Sequence, residues 1–229
     1  MPDHTSAAAF ADFAQHLGSL TTTTMVIEAF EQTASAVLGH GEVSLLLVQQ
    51  RQLVVAGSTD KSVATATAGQ LDLGEGPALD AARGPSQVAC ADLAAAPDWP
   101  RWSPCAYSLG WRSWLSVRLS SRSQRCLGVL DVASRNPDDI DADLASILAA
   151  HLAVAIDSVR LQETLLLAQD AQMHVGQAVG LLMERYQLTA DQALAVLRRY
   201  SQQRQVKLRE IATDLLATRA LPNVDTHGQ

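Results

Sequence analysis

Between Ile140 and Val175 the chain places one residue of a stripe at intervals that alternate between four and three. The positions are Ile140, Leu144, Ile147, His151, Val154, Ser158, Leu161, Leu165, Ala168, Gln172 and Val175. Neither proline nor glycine interrupts the run. A repeat of about 3.5 residues is the signature of a coiled-coil seam. The polar positions His151, Ser158 and Gln172 weaken that seam and are suited to fixing its register. Leu148, Leu152, Ala155 and Val159 form a second stripe, placed to pack on a sheet of the same chain. A helix with two apolar stripes can hold its own domain and a second copy of the chain. A single core helix with no dimer is the simpler alternative.

Upstream the pattern changes period. Residues 7–17 and 25–38 have helical spacing of apolar positions. Val43–Val48 and Leu53–Gly57 are short aliphatic runs bounded by Gly39-His40-Gly41 and Ser58, which predicts a β-hairpin. Gly and Pro are frequent between 69 and 104, predicting loop and short helix. Trp114–Leu119 and Leu127–Val132 predict two more strands, joined by a polar turn over 120–125. Asn136-Pro137-Asp138-Asp139 predicts the start of the long helix, with acids favourable in its first turn. The expected class is α+β, an antiparallel sheet with flanking helices followed by a long helix.

Residues 175–217 predict three short helices separated by two tight breaks. The first ends at Tyr186-Gln187. Thr189 and Gln192 then form a capping box, with Leu188 as the apolar staple. The second helix is expected to bury Ala193, Leu194, Leu197 and Tyr200. The third is expected to bury Leu208, Ile211, Ala212 and Leu215, one face of a helix. Pro222 ends it, and 223–229 reads as a disordered tail. Gly176 and Gly180 lie inside the first helix, where each costs about 1 kcal/mol against alanine. Spaced by four, they share a face and strip it of side chains. Either another helix or a ligand backbone approaches there.

Charge sharpens the division. The chain has 229 residues and a formal charge of −7. Residues 170–222 nevertheless hold seven basic and five acidic side chains. The basic set is Arg185, Arg198, Arg199, Arg204, Lys207 and Arg209, and all but Arg185 cluster around the second break, an arrangement suited to phosphate contacts. The alternative is a solvated surface with local pairs to Glu184, Glu210 or Asp214. Cys90, Cys105 and Cys126 show no metal-ligand spacing, and free thiols fit a reducing compartment. MPDHTSAAAF lacks the features of a signal peptide, and the apolar stretch 144–156 is too short to span a bilayer. The expectation is a cytoplasmic protein with no membrane association. No nucleophile elbow, HExxH or Walker motif is present, so the chain is not expected to be an enzyme.

The C-terminal stretch resembles an ANTAR domain, the antitermination-regulator RNA-binding module. Gly176-Gln177-Ala178, Gly180 to Arg185, Ala193, Leu197-Arg198, Ser201, Lys207-Leu208-Arg209 and Ala212 carry the resemblance over about fifty residues. It implies a three-helix module that dimerises through a preceding coiled coil and binds paired RNA stem-loops, preventing a terminator from forming. The RNA-binding residues are then expected to be Gln177, Gly180, Arg185, Arg198, Arg199, Arg204, Lys207 and Arg209. Three positions depart from the family. Val179 replaces a usual lysine, Gln172 a usual arginine and Gln205 a usual asparagine. Losing two cations weakens phosphate contact and flattens its salt dependence. A DNA-binding helix-turn-helix and a protein-interaction module without nucleic acid are the alternatives.

The N-terminal part resembles a GAF domain. Leu73-Gly74-Glu75-Gly76-Pro77-Ala78, Ala91-Asp92-Leu93, Asp98-Trp99-Pro100, Gly110 to Ser113, Ser116 to Leu119 and Leu127 to Leu130 carry it. Arg118 stands where the family often has proline. The resemblance implies a six-stranded antiparallel sheet with helices on one face and often a small-molecule pocket on the other. No cofactor is expected, and the ligand is not legible. Gly74 to Pro77 lacks the ending of a phosphate loop and predicts a turn into a helix. Cys105, His40 and His151 are read as structural positions rather than chromophore or haem ligands. Trp99, Trp102, Trp111 and Trp114 line a pocket or fill a core. The division expected is a sensor over 1–140, a coiled-coil connector over 141–172 and an RNA-binding module over 173–222, with the tail after it.

Overall fold

The computed structural model describes residue 13 and residues 15–38, 41–137 and 139–219. His40, Pro222 and the tail over 223–229 lie outside them, as does most of the helix expected over 7–17. Its described residues 13 and 15–17 are helical.

Helix α1 (Thr23–Leu38) leads into β1 (Glu42–Gln49) and β2 (Gln52–Ser58), the predicted hairpin. Two residues connect these strands, Gln50 and Arg51, both with positive φ. Helices α2 (Lys61–Leu73) and α3 (Pro77–Arg83) follow, then a short strand β3 (Gln87–Cys90). A 3-10 turn (Leu93–Ala95) and α4 (Trp102–Ser108) precede β4 (Ser113–Ser120) and β5 (Cys126–Ser134). Strand order is β2-β1-β5-β4-β3, and every pairing is antiparallel. The sixth strand implied by the GAF resemblance is absent among the described residues. Helix α2 and strand β3 are the elements the sequence pattern misses. Asp60 caps α2 by accepting from Ser62 N and Val63 N, which organises a run whose small residues show no clear period.

Helices cover both faces of the sheet, not the one expected. On one side Val43, Leu45 and Leu47 of β1 and Leu115, Val117 and Leu119 of β4 pack with Phe30 of α1. Helix α5 (Ala142–Tyr186) completes this core with Leu148, Leu152 and Ile156. On the other side Val63 and Ala66 of α2 pack with Trp102 of α4 and Trp114 of β4. Ala78 and Ala81 of α3 pack there on Leu46 and Val129.

The long helix begins at Ala142, later than expected. Asp139 accepts from Ser134 Oγ (3.2 Å) and Asn136 Nδ2 (3.1 Å), which ties it to the end of β5. Asp141 therefore becomes the cap, accepting from Leu144 N at 2.9 Å. By length and composition α5 could cross a membrane, with an 18-residue window of mean hydropathy 1.6. The shorter apolar run read from the sequence understates it. Buried Ala145, Leu148, Leu152 and Ile156 make its N-terminal half a core helix of the sheet unit.

The chain divides into two compact units, Met1–Leu161 and Gln162–Gln229. In the second, the C-terminal part of α5 packs with α6 (Ala190–Arg204) and α7 (Leu208–Thr218). Its core is Ala178, Leu182, Ala193, Leu197, Ile211, Ala212 and Leu215. Of the residues expected in that core, Tyr200 and Leu208 pack against it as half-buried residues near helix ends, while Leu194 is half-buried at the flank of α6.

Candidate functional site

In the C-terminal unit two left-handed residues make the breaks. Gln187 (φ 53°) ends α5, and Gln205 (φ 55°) ends α6. The capping box forms as predicted: Gln192 N donates to Thr189 Oγ1 at 3.3 Å and Thr189 N to Gln192 Oε1 at 2.9 Å. Ser201 stitches the second break, its hydroxyl donating to Val206 O at 2.6 Å while Val206 N donates to Ser201 O at 3.1 Å. The asparagine usual at position 205 thereby acquires a backbone reason. Asparagine tolerates the left-handed conformation better than glutamine. That departure falls at the left-handed position of the turn.

Gly176 and Gly180 point away from the three-helix core. Each stands two residues from buried Ala178, or about 200° around the helix. A Cβ built on either would meet nothing within 4 Å. No helix among the described residues explains them. Met173 and Met183 flank them on the same exposed face, and Gln172 and Gln177 are exposed too. Val179 is half-buried against the core. This face of α5 carries no basic side chain, and exposed Glu184 follows one turn after Gly180.

The cations sit elsewhere. Arg198 and Arg199 are exposed on α6, about 100° apart as successive residues, with Arg199 on the side opposite buried Ala193 and Leu197. Arg204 ends α6 and Lys207 precedes α7, so both bracket the Gln205 turn. Arg209 lies 3.9 Å from Glu210 and lines a shallow groove with Leu167, Ala171 and His174. Arg185 donates to Arg219 O and stands over the Tyr186 ring, tying α5 to the end of α7. It is engaged in holding the module together. The structure thus brings Arg204 and Lys207 to one turn, puts Gln177 and Gly180 on a separate face of α5, and bonds the exposed Arg185 to the end of α7.

The sheet unit holds a feature that sequence reasoning misses. Register aligns Ser44 and Ser116 with Asp131 on the adjacent central strand, and all three are fully buried. Asp131 accepts from Ser116 Oγ (2.5 Å), Gln70 Nε2 (2.8 Å) and Thr67 Oγ1 (3.1 Å). Gln70 Oε1 in turn accepts from Ala78 N at 2.7 Å, linking the carboxylate to the start of α3. Burial pushes the Asp131 carboxyl up to about 6, against the lowering effect of the Ser116, Thr67 and Gln70 donors. The Trp114 indole faces the same carboxylate, and its N–H falls short of hydrogen-bond geometry. The signal available in the sequence is a single acid inside an otherwise apolar strand.

The four tryptophans are buried and fill this side, and Trp114 also lines a small cavity with Cys90, Leu115 and Ile140. Trp102 meets Trp114 and Trp99 edge-on, with ring centroids 5.1 and 6.0 Å apart. Trp99 donates to Asp80 and Trp102 to Ala66 O. Glu75 takes the backbone N–H groups of Arg101 and Trp102 and pairs with the Arg101 side chain at 2.9 Å. Gly74 to Pro77 is therefore a turn that seats α3 and α4, as expected. Burial raises the Cys90 thiol, while Cys105 is exposed and all three cysteines are free. His151 is exposed on α5. Among the described residues no group of three His, Cys, Asp or Glu side chains is placed to hold a metal.

An antiparallel sheet clasped by helices, followed by a helix leading into a small three-helix module, defines a two-part architecture. Residues 21–157 match the GAF domain, and the chain belongs to that family. Residues 163–216 match the ANTAR domain. Among curated proteins, none matches the chain. Three solved structures share the fold of the sheet unit. The free methionine-R-sulfoxide reductase of Neisseria meningitidis, solved with its substrate, is 21% identical, with a TM-score of 0.53 over 70% of this chain and 95% of that one. The GAF domain of a phosphoenolpyruvate-protein phosphotransferase from Coxiella burnetii is 16% identical, with a TM-score of 0.55 over 70% of this chain and 97% of that one. The GAF domain of the Acinetobacter phosphotransferase is 13% identical, with a TM-score of 0.53 over 71% and 99%. Identities this low establish the fold alone.

Proposed function

We propose that the chain is a signal-responsive, non-enzymatic regulator that binds RNA stem-loops and acts by transcription antitermination in the cytoplasm. The ANTAR match over 163–216 carries this reading, because ANTAR domains bind RNA. A sensor over 1–140 takes a small molecule, α5 pairs two copies over 141–172, and the module over 173–222 contacts RNA. The two-stripe pattern of α5 supports the homodimer. Leu148 and Leu152 are consumed by the sheet, while Ile147, Val154, Leu161 and Leu165 of the seam stay 47 to 61% exposed. Signal transfer is a population shift of this helix pair.

The cation placement divides the labour within the module. With no basic side chain on the Gly176 and Gly180 face, and with Glu184 one turn beyond Gly180, phosphate contact falls to Arg198, Arg199, Arg204 and Lys207. Gln177 and Gly180 serve close approach, and Arg185 and Arg209 mainly hold local structure. A two-hairpin RNA titrated at several salt concentrations tests this. The wild type binds at low salt, and Arg198→Ala with Arg199→Ala weakens binding at least about tenfold and lowers the salt slope by about 1 to 2. Absence of binding at low salt, or preference for duplex DNA in competition, overturns the reading.

One observation favours a second use of the glycine face. It is open, carries Met173 and Met183 and no cation, and is continuous with exposed Leu165 on the same helix, which suits a second copy of α5 better than a phosphate backbone. On this reading Gly176 and Gly180 set the approach of two modules, and RNA lies at the α6–α7 turn.

A further inference from the structure

The described cavity with the largest volume, about 560 Å³, lies within the sheet unit, at the corner where the β1–β2 turn, the start of β5 and helices α2 and α3 meet. Its volume falls in the range of small-molecule sites. Leu53, Leu71 and Leu79 give it an apolar wall, set over the small core cluster that includes Leu46 and Val129. Arg51 and Arg83 line it as well, and no acidic residue does. Among the described residues neither arginine has a hydrogen-bond or ion-pair partner. Elsewhere in this unit Arg101 is paired to Glu75, and Arg118 and Arg112 donate to backbone carbonyls.

The turn carries a second indication. Gln50 and Arg51 adopt φ values of 48° and 69°, the two central positions of a two-residue hairpin. Such positions favour glycine or asparagine, because a side chain there crowds the backbone. This chain keeps a strained arginine at the cavity rim instead. Two unpaired guanidinium groups beside an apolar wall match a ligand with an anionic head and a hydrocarbon body. Guanidinium binds carboxylate or phosphate oxygens through paired N–H donors.

We propose that this cleft binds a small amphipathic anion, its carboxylate or phosphate held by Arg51 and Arg83 and its apolar body laid over Leu53, Leu71 and Leu79. The site is separate from the tryptophan-filled region near Asp131. It would supply the ligand of the sensor reading, yet its binding does not depend on RNA. The test measures the full-length protein alone, so failure of one reading leaves the other standing.

Calorimetry with octanoate, octyl phosphate and the neutral octan-1-ol separates head group from body. Cys126 also lines the cleft, so its alkylation in a Cys105→Ser background reports the location. Octanoate or octyl phosphate is expected to bind at millimolar concentration or below and to protect Cys126. Octan-1-ol is expected to bind at least about tenfold more weakly, and Arg51→Gln or Arg83→Gln to weaken the anion by about tenfold each. The preferred head group decides between carboxylate and phosphate. Equal binding of octan-1-ol, unchanged affinity in both arginine variants, or no heat and no protection with either anion overturns the proposal.

Discussion

Helix α5 is one continuous element of 45 residues, yet its two halves live under different physical conditions. From 142 to 161 it buries Ala145, Leu148, Ala149, Leu152, Ile156 and Val159 against the sheet unit. Between 160 and 177 no side chain is buried, although Leu161, Leu165, Leu166 and Leu167 are each at least 55% exposed and as apolar as anything upstream. Hydrophobicity alone therefore does not separate a core stripe from a surface one. What separates them is whether a partner surface exists within the chain. The four exposed leucines also do not form a single stripe. Leu161 and Leu165 are about 40° apart, while Leu166 and Leu167 lie about 100° and 200° beyond Leu165. Leu161 and Leu165 stand on the proposed seam, and Leu167 lines the groove beside Arg209.

The largest expected effect breaks this contrast directly. Leu152→Ala removes a fully buried side chain and should cost about 2 to 5 kcal/mol of the sheet unit's stability in urea denaturation. Leu165→Ala should leave that transition where it is and instead shift the protein toward monomer in sedimentation. Equal loss of stability from the two substitutions would show that the second half of α5 is as much a core as the first.

Next in size is the buried acid, which belongs to the sheet unit alone. The Asp131 carboxyl is raised from 3.8 to about 6 by burial. Between those values the folded state holds a proton that the unfolded state has released, so stability falls as pH rises through that window and levels off above about 6. The difference is worth about 3 kcal/mol, as an upper figure. Melting of the sheet unit should therefore gain stability on acidification from about pH 7 to about pH 5, relative to an Asp131→Asn variant measured in parallel. Parallel pH profiles for the two proteins would mean that the carboxylate is as well solvated as an exposed one.

Much of this division is legible in the amino-acid pattern. Alternating four-and-three spacing marks α5, and Thr189 with Gln192 marks the start of α6, because both depend on local patterns. The hairpin and strands β4 and β5 announce themselves through aliphatic runs. Strand β3 does not, since Gln87, Val88, Ala89 and Cys90 make an edge strand with little apolar content. Helix α2 escapes for a related reason: Ser62, Thr65 and Thr67 blur its period, and its cap and the Asp131 hydrogen bonds hold it in place. The cations of the C-terminal module are visible in sequence, but their sorting is not. That the Arg185 side chain reaches Arg219 O at the end of α7 depends on how three helices pack. Arg51 and Arg83 share a cavity only through the sheet's topology, and no spacing in the chain connects them.

The smallest effect bears on the open face of the second half of α5. In an isolated helix Gly180→Ala should stabilise by about 1 kcal/mol, because alanine has less backbone entropy to lose. Nothing within 4 Å of the missing Cβ opposes the change in a single copy of the chain. The C-terminal unit should therefore melt slightly higher in dilute protein. If Gly176 and Gly180 serve close approach, the same methyl group must weaken whatever approaches. A variant that melts higher, dimerises less and still binds RNA assigns the face to a second copy of α5. A variant that melts higher, dimerises normally and loses RNA assigns it to the RNA backbone. One that melts higher with both functions intact leaves the two glycines without a role in either contact, and the contrast between the halves of α5 would then rest on the leucines alone.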